Sequence, residues 1–378
     1  MPNRAPSPDG GPVAWEFFAG GGLAGLGLDG FRIGLANDLD AAKARAYRAN
    51  HPDVDFREGD VGALKAADLP GRPDLCWASS PCQDLSLAGA RAGLAGGRSG
   101  AFWSFWRLMQ ALEAEGRGPP LVVIENVAGL LSSAGGADFA AVCGTLAEAG
   151  YRVGALEMDA ALWLPQSRPR LFIVAMKGVD GPTCDRPRLP FHTARVQAAA
   201  AALPGATAAH WVWWDVDAPA RRNLDLAAVL DPHAVWMDGA ESAALLALAS
   251  PLHRARIEAA AGGDVPRYGA AFRRVRVESG RKVQRLEARF DGLAGCLRTP
   301  SGGSSRQYVI RACDGEIRFR RLTGREAARL MGVAEDYRLP SSESAALKLM
   351  GDAVAVPVVR ALADQLFRPA LTGRRAAA

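Results

Sequence analysis

Short apolar runs alternate with helical patterns along the first half of the chain. The runs end at glycine, proline or polar residues, which is typical of buried strands. They predict strands at residues 13–18, 33–36, 54–56, 75–78, 121–124, 151–158 and 170–176. Apolar residues at helical spacing predict helices at 23–28, 41–50, 102–115 and 137–149. Strands alternating with helices predict an α/β fold with a doubly wound, mostly parallel sheet, whose ligands lie at the carboxyl ends of the strands.

The pattern changes after Lys177. Prolines, an alanine-rich segment and the tryptophan-rich stretch 211–214 follow, and residues 292–308 are rich in glycine, serine and arginine without a helical period. Helical patterns return at 325–331 and 354–366. A chain of 378 residues is long enough for two domains. The shift in composition therefore indicates a domain boundary near residue 180.

The net charge of +5 is unevenly distributed. Residues 251–330 hold 18 basic and 8 acidic residues, whereas the rest of the chain holds 27 basic and 32 acidic residues. A local excess of this size predicts contact with a polyanion such as a nucleic acid. The alternative, a solvated arginine-rich face, stays open on charge alone.

The cysteines and the N-terminus indicate where the protein works. Six cysteines lie far apart without a CxxC pair, which argues against a disulfide framework and a zinc site. The first twelve residues lack the apolar region of a signal peptide, and no run of eighteen apolar residues follows. We therefore expect a cytoplasmic protein with reduced thiols, no bound metal and no membrane contact. Forty of the 45 basic residues are arginine, which suggests a GC-rich bacterial genome.

A glycine-rich turn and two acids follow the first three predicted strands. The turn at 18–22 lets the backbone approach a ligand, although many ordinary strand-to-helix turns also carry glycines. Asp38 ends the second strand, where a carboxylate can accept hydrogen bonds from ribose hydroxyls. Asp60 ends the third strand and could meet an adenine amino group. Together they predict an adenosine-containing cofactor, and the glycine spacing disfavours a dinucleotide.

Four side chains at later strand ends carry candidate chemistry. Cys82 follows a proline in a turn after a buried strand, where its thiolate could be stabilised by N–H groups or arginines, although a lone cysteine is more often a small buried hydrophobe. Glu125 ends an apolar strand, where a carboxyl is costly to bury unless it is protonated or paired, and a solvated strand end is the alternative. Arg168 and Arg170 alternate at the start of a strand, so both could point to one side, with surface salt bridges as the alternative. A nucleophile, an acid and fixed cations are the groups that attack on an electron-rich base requires.

These motifs in this order resemble the DNA (cytosine-5) methyltransferase family of the bacterial restriction-modification type. The resemblance covers nearly the whole chain and is carried by the motifs at 16–22, 37–38, 59–61, 80–86, 125–127, 165–170, 321–332 and 351–354. It implies a Rossmann-like catalytic domain over 13–180 and 321–378 and a smaller target-recognition domain over 181–320. The polar, proline- and glycine-rich composition of residues 1–12 predicts a disordered N-terminus.

The resemblance also implies a chemistry and a set of residues. S-adenosyl-L-methionine is the cofactor, Cys82 attacks C6 of a flipped cytosine, Glu125 contacts N3, and Arg170 with Arg168 holds the base carbonyl or a phosphate. The cofactor is bound by Phe18, Ala19, Gly20, Gly21, Gly22, Leu23, Asn37, Asp38, Leu39, Asp60, Val61, Pro81, Asp352 and Ala353. DNA is bound by Gln83, Ser86, Arg98, Arg289, Arg298, Thr299, Ser301, Gly302, Gly303, Arg306 and Gln307.

Two departures from the family pattern and two rival functions accompany this interpretation. Asp38 stands where the family most often has Glu, and Asp352 stands where it usually has Asn. The rivals are a transfer RNA cytosine-5 methyltransferase and a non-catalytic DNA-binding regulator of the same fold. The partners implied are double-stranded DNA and a cognate restriction endonuclease acting separately, with the protein itself a monomer.

Overall fold

The computed structural model describes residues 10–81, 100–220, 222, 224–299 and 306–377. Two compact units divide the chain. The first comprises the chain up to Asp159, Pro169–Ala218 and the segment from Val358 onward, and the second comprises Ala160–Arg168 and Pro219–Pro357. These boundaries do not coincide with the predicted ones at 180 and 321, so the assignment of cofactor and DNA binding to separate segments stays a prediction.

A seven-stranded sheet forms the centre of the first unit. Its strands are β1 (Val13–Phe17), β2 (Arg32–Asp38), β3 (Asp55–Glu58), β4 (Leu75–Ala78), β5 (Leu121–Val127), β6 (Arg152–Asp159) and β7 (Pro169–Met176). The order is β3-β2-β1-β4-β5-β7-β6, and within this sheet β7 runs in the direction opposite to the other six strands. The predicted doubly wound, mostly parallel sheet is confirmed. The order reverses between β1 and β4, which is the switch point where such sheets bind ligands.

Helices cover both faces of this sheet. They are α1 (Leu23–Gly27), α2 (Ala41–Asn50), α3 (Ala101–Ala114), α4 (Ala137–Glu148), α5 (Ala194–Ala201) and α6 (Gly205–Ala208). On one face, Val122 and Ile124 of β5 pack with Phe105 of α3 and Val142 of α4. The alternate residues of β5 are fully buried as well. Burial on both faces explains why this strand reads as a continuous apolar run.

One described stretch, Ala128–Glu148, is long and apolar enough to cross a membrane by composition. It consists of a 3₁₀ segment joined to α4 through the non-helical residues Ser133, Ala134 and Gly135. Phe139 and Leu146 of α4 lie in the core beside the sheet. This stretch is therefore a kinked segment that packs in the core of the first unit.

The ends of the first unit are also ordered where they are described. Residues 1–9 of the predicted disordered N-terminus lie outside the described residues, and the carbonyl of Pro12 accepts a hydrogen bond from the Arg32 N–H. A two-stranded sheet pairs β8 (Thr183–Cys184) with β9 (Trp213–Trp214), and the indole of Trp214 donates to the Val174 carbonyl of β7. The segment 181–218 therefore belongs to the first unit. The chain ends in α11 (Val356–Leu362) and α12 (Arg368–Ala377).

The second unit contains a four-stranded antiparallel sheet that the sequence analysis did not predict. Its strands are β10 (Arg267–Glu278), β11 (Arg281–Arg289), β12 (Gln307–Cys313) and β13 (Glu316–Arg321), in the order β11-β10-β12-β13. Ile257 of α8 (Pro251–Ala261) and Leu245 of α7 (Gly239–Ala247) share a core with Leu286 and Ile310 of the sheet. The unit is completed by α9 (Gly324–Leu330), where the predicted helix is found, and α10 (Glu343–Asp352).

Candidate active site

The carboxyl ends of β1 to β5 meet at one edge of the first unit's sheet. Parallel pairing of β1 with β2 and β4, and of β4 with β5, places the residues after these strands along that edge. The polar groups there are the glycine-rich turn, Asp38, Asp60, the turn after β4, and Glu125. The sheet therefore brings together those predicted site residues of the first unit that the structure describes.

The glycine-rich turn after β1 has a left-handed backbone. Phe18, Gly20 and Gly22 have φ angles of 57°, 57° and 80°. A side chain at Gly22 would approach the His51 ring to 2.5 Å, so glycine is required there, whereas a Cβ at Gly20 would meet no atom within 4 Å. The turn is closed by a 2.9 Å hydrogen bond from the Ala19 N–H to the Asn37 carbonyl. The backbone at Gly20 thus borders open space at the ligand-binding edge.

Asp38 clamps this turn to the end of β2. One carboxylate oxygen accepts the Gly20 N–H at 2.8 Å, and the other accepts the Asp40 N–H at 2.9 Å. Each carboxylate oxygen has two lone pairs, so one on each remains for a ligand. The predicted contact with ribose hydroxyls is compatible with this geometry and stays a proposal.

Four other residues that were predicted to contact the cofactor differ in burial and in hydrogen-bond partners. Asn37 is 1% exposed, and its amide donates to the carbonyls of Arg57 and Gly59, which ties β2 to the end of β3. Val61 is 3% exposed and lies in the core. These two side chains therefore make contacts inside the protein, and the predicted cofactor contact at both positions stays a prediction. Leu39 is 71% exposed at the same edge. The exposed Asp60 accepts the Gly62 N–H at 2.8 Å.

Glu16 is a structural carboxylate that the sequence analysis quoted only as part of a motif. It is fully buried in β1, where its oxygens accept the Gly25 N–H at 2.6 Å and the Tyr47 hydroxyl at 2.7 Å. A side chain at Gly25 would approach Glu16 to 2.6 Å. Glu16 therefore fixes α1 and α2 behind the turn, and an acid inside an apolar run was the signal for this role.

The nucleophile loop is described only at its start. Cys82, Gln83, Ser86 and Arg98 lie outside the described residues. Before them, the Ser79 N–H donates to the Phe17 carbonyl, and Pro81 is exposed at the edge of the sheet. The chain thus enters the predicted loop at the switch point.

Glu125 and Arg170 form an ion pair at the end of β5. Glu125 pairs with Phe172 across the antiparallel β5–β7 ladder and Val127 pairs with Arg170, so the acid and the arginine are diagonal neighbours on one face. The Glu125 Oε1 lies 3.2 Å from the Arg170 Nε, and their side chains are 9% and 16% exposed. Pairing reduces the cost of burying both charges. Of the two alternatives left open for Glu125, the paired acid is the one found.

Asn126 links the end of β5 to the turn that leads into the predicted nucleophile loop. It is 3% exposed, and its amide donates to the Ser80 carbonyl at 3.0 Å, while its Oδ1 accepts the Val127 N–H at 2.9 Å. Both ends of the amide are used to join β5 to the turn two residues before Cys82. The sequence analysis gave this residue no role, because its partner is 46 positions away.

Arg168 does not support the role predicted for it. The side chain is 2% exposed, and its terminal nitrogens donate to the carbonyls of Leu297, Gly351 and Ala353. All of these residues belong to the second unit. A guanidinium whose donors bind three backbone carbonyls organises the chain, so the geometry corrects the prediction of a base or phosphate contact. It also places Ala353 beside this guanidinium.

The second unit also shows the side-chain partners of Asp352, Gln307 and Arg289, which were predicted to contact the cofactor or DNA. The Thr299 hydroxyl bonds to the Asp352 carboxylate. Gln307 is 7% exposed and bonds both the N–H and the carbonyl of Gly295, so its amide is used by the backbone and the geometry does not support the DNA contact predicted for it. Arg289 forms a two-point pair with Asp291 at 2.7 and 2.6 Å.

Of the remaining residues predicted to contact DNA, some are described by the structure and others are not. Arg298 is exposed, and Arg306 donates to the Ser344 hydroxyl at 2.8 Å. Ser301, Gly302 and Gly303 lie outside the described residues.

Comparisons with known proteins agree with this arrangement. The family model described as C-5 cytosine-specific DNA methylase matches residues 14–196 and 270–368. Type II methyltransferase M.NlaX of Neisseria lactamica is 25% identical over 358 residues, which cover 93% of this chain and 95% of the relative. Type II methyltransferase M.PspPI of Psychrobacter sp. (strain TA137) is 31% identical over 166 residues, which cover 43% of this chain and only 39% of the relative's length.

Solved structures share the fold. The S. pombe Dnmt2 methyltransferase superposes with a TM-score of 0.58 at 17% identity, covering 95% of this chain and 99% of that one. The Entamoeba histolytica methyltransferase EhMeth gives a TM-score of 0.56 at 13% identity, covering 95% and 98%. With the family model matching well over half of the chain, this protein belongs to the C-5 cytosine-specific DNA methylase family.

Proposed function

We propose that this protein transfers a methyl group from S-adenosyl-L-methionine to carbon C5 of a cytosine in duplex DNA. The observation that carries the proposal is the Glu125–Arg170 ion pair, joined through Asn126 to the turn before Cys82. An acid, a cation and the start of the nucleophile loop are thereby attached to one strand end. Family membership supplies the class of reaction.

The carboxyl ends of β1 and β2 fit the adenosine part of the cofactor. Asp38 retains lone pairs for ribose hydroxyls, and Gly20 borders open space. Leu39, 71% exposed, offers an apolar surface to the adenine, and Asp60 an acceptor for its amino group. We therefore assign cofactor binding to the 18–22 turn and to these side chains. When bound, S-adenosyl-L-methionine supplies an electrophilic methyl group.

The residues of the chain would make the cytosine reactive. The base is inaccessible inside a duplex, so it must be flipped out. The Cys82 thiolate then forms a bond to C6, while Glu125 hydrogen-bonds N3 and removes negative charge from the ring. Arg170 orients the Glu125 carboxyl and places a positive charge beside the base carbonyl. The electron pair thus released to C5 would bond the methyl group as the bond from that group to the cofactor's sulfonium sulfur breaks, leaving a neutral thioether. C5 would then lose its proton, the C5–C6 double bond would re-form and the thiolate would leave.

Sequence-specific modification is the finer part of the proposal. The similar curated proteins are named Type II methyltransferases. We infer that this chain modifies cytosine within a defined duplex sequence, with a cognate restriction endonuclease acting separately. The monomeric state and the cytoplasmic location stay predictions.

Methyl incorporation into defined substrates tests the proposal. Labelled S-adenosyl-L-methionine is supplied with duplex DNA or transfer RNA, and cytosine-conversion sequencing locates the modified base. We expect C5 methylation of DNA that is lost in Cys82→Ala and retained in Cys184→Ala, the matched removal of a partly exposed thiol elsewhere in the first unit. Transfer to RNA alone would refute the substrate class. Cofactor and DNA binding without any transfer would indicate a non-catalytic regulator.

A further inference from the structure

A two-stranded ribbon extends from the sheet of the second unit. β10 pairs with β12 only over Arg267–Phe272, whereas its pairing with β11 continues to Glu278 and Arg281. Among the described residues, 273–286 therefore form a hairpin that no third strand joins, apart from an isolated bridge between Leu286 at its base and Ala249, and we call this hairpin the ribbon. Ser279 and Gly280 at its tip have φ angles of 49° and 77°, as a tight two-residue hairpin turn requires. Six residues per strand give it a length of about 20 Å.

One face of the ribbon is occupied by ion pairs within the hairpin and with Glu287 at its base. Arg274 and Arg276 both pair with Glu287, and Arg285 pairs with Glu278. These cross-strand contacts hold the two strands in register and neutralise part of the charge. This face is therefore suited to stiffening the hairpin.

The opposite face carries Val275, Val277, Lys282 and Gln284, which we call the valine face. Val275 pairs with Gln284 and Val277 with Lys282 across the strands. The same face is buried at Leu286, where the sheet packs in the core with α8, but Val275 and Val277 farther along are 47% and 71% exposed. Within the described part of the chain, the side chains of Lys282 and Gln284 form no hydrogen bond or ion pair, and their contacts are those of the backbone ladder. The valine face thus presents apolar and polar groups outward together.

The composition of the ribbon indicates the chemistry of its partner. Residues 273–286 contain six basic residues and one acidic residue, which favours a polyanion. Glutamine can bond both N6 and N7 on the major-groove edge of adenine, lysine can bond guanine, and apolar side chains contact the thymine methyl group. A two-stranded ribbon fits the major groove of B-form DNA, whereas the corresponding groove of A-form RNA is too narrow for side chains to read.

We propose that the ribbon enters the major groove of the target duplex and that its valine face contacts the base edges. Gln284 and Lys282 read bases, Val275 and Val277 exclude water and contact thymine methyl groups, and Arg281 at the tip contacts a phosphate. The proposal rests on the proposed function, because the duplex is the substrate that the family reaction requires. It assigns specificity to residues outside those predicted from the sequence.

Methylation profiling on a random-sequence duplex library tests the ribbon. Gln284→Ala and Val277→Ser should each relax the methylated motif at one position, reducing discrimination there about 5- to 150-fold. Lys282→Gln should relax a further position. Val265→Ser, at a valine that is 69% exposed in the same unit, and Lys65→Gln, which removes an exposed lysine in the first unit, should leave the motif unchanged.

The outcomes separate this inference from the proposed function. A wild-type protein that methylates the library, with all three ribbon variants keeping its motif, would refute the ribbon alone. Ribbon variants that weaken methylation of every sequence equally would also refute base reading, because they would indicate phosphate contacts only. A wild-type protein that methylates neither DNA nor RNA would refute the proposed function and the inference with it.

Discussion

Asn126 connects two parts of the proposed active site through a single buried amide. Asn126→Asp keeps the size of the side chain but turns the donor that faces the Ser80 carbonyl into an acceptor. The turn before Cys82 should then shift, and a misplacement of about 1 Å can reduce turnover about 100-fold. We expect kcat for methyl transfer to fall about 10- to 100-fold, with little change in the Kd for DNA.

Steady-state kinetics and a DNA-binding titration measure the two effects. Asn50→Asp is the matched control, since its amide also donates to a backbone carbonyl, that of Ala46 in α2. An unchanged kcat in Asn126→Asp, or an equal loss in the control, would contradict the positioning role.

Arg168 and Arg170 are two positions apart but should respond differently to truncation. Arg168→Ala leaves the carbonyls of Leu297, Gly351 and Ala353 without their donor, so the free energy of unfolding should fall by about 3 kcal/mol or more. Arg170→Ala removes the partner of Glu125 and should mainly reduce turnover. Urea unfolding followed by fluorescence, together with methyl-transfer rates, separates the two. A stable Arg168→Ala protein that binds DNA weakly would restore the original prediction for this residue.

Local chemistry could identify the kinds of site residues but not their partners. Glu125 was predicted to be protonated, paired or solvated, and its pair lies on the neighbouring strand. Arg168 and Gln307 looked equally suited to a ligand in the sequence, yet both are used by backbone groups. The partners of Arg168 lie 129 to 185 positions away, a distance at which no local pattern carries information.

At the scale of elements, the contact between the glycine-rich turn and the end of β2 should govern cofactor binding. Asp38→Ala removes both the clamp on Gly20 and the proposed ribose acceptor. S-adenosyl-L-methionine binding should weaken by about 1–3 kcal/mol, as expected for a lost polar partner. Isothermal calorimetry measures this change. Asp53→Ala, an exposed acid just before β3, serves as the control, and equal affinities in both variants and the wild type would refute the assigned site.

The strands and helices of the first unit could be predicted because each coincides with a short run or a periodic pattern of apolar residues. The helix Ala41–Asn50 and the strand Leu75–Ala78 are confirmed with their predicted limits. The ribbon strands were not predicted because arginines alternate with valines in them. Such a run was interpreted as a basic segment and not as a strand. The strands of a two-stranded ribbon are not buried on both faces. Their conformation therefore depends on pairing with the neighbouring strand more than on the residues' own apolar pattern.

At the scale of the whole molecule, the pH dependence of stability should include a contribution from His192. Its buried ring accepts the Arg188 N–H at Nδ1, at 2.8 Å, and desolvation lowers its pKa below 6.5, while Asp215 opposes and Arg188 adds to the effect. The unfolded chain therefore binds a proton more readily than the folded one. Stability should be fully present above about pH 6.5 and fall as the pH drops toward the lowered pKa.

Thermal unfolding of the wild type and of His192→Gln between pH 8 and pH 5 tests this contribution. His253→Gln, at a histidine of the second unit that also contacts the backbone, is the control. We expect the acid-dependent loss to be smaller in His192→Gln than in the wild type and unchanged in the control. Parallel pH profiles for all three proteins would contradict the assignment.

The residues proposed for the chemistry and those proposed for base reading belong to different units. Glu125, Arg170 and the entry to the nucleophile loop belong to the first unit, while the ribbon belongs to the second. The proposed covalent attack thus involves residues of the first unit, whereas the proposed base reading involves residues of the second. A test of the chemistry must therefore detect the covalent bond itself.

Trapping that bond is the most direct test of the account. Duplex DNA with 5-fluorocytosine at the target position is incubated with the protein and S-adenosyl-L-methionine, and adducts are detected by denaturing electrophoresis and peptide mass spectrometry. Because fluorine at C5 cannot leave as a proton does, the Cys82–C6 bond should persist after methyl transfer. We predict a stable adduct mapped to Cys82 in the wild type and in Cys184→Ala, and none in Cys82→Ala. Methylation of ordinary cytosine without any such adduct, or an adduct at another residue, would contradict the account.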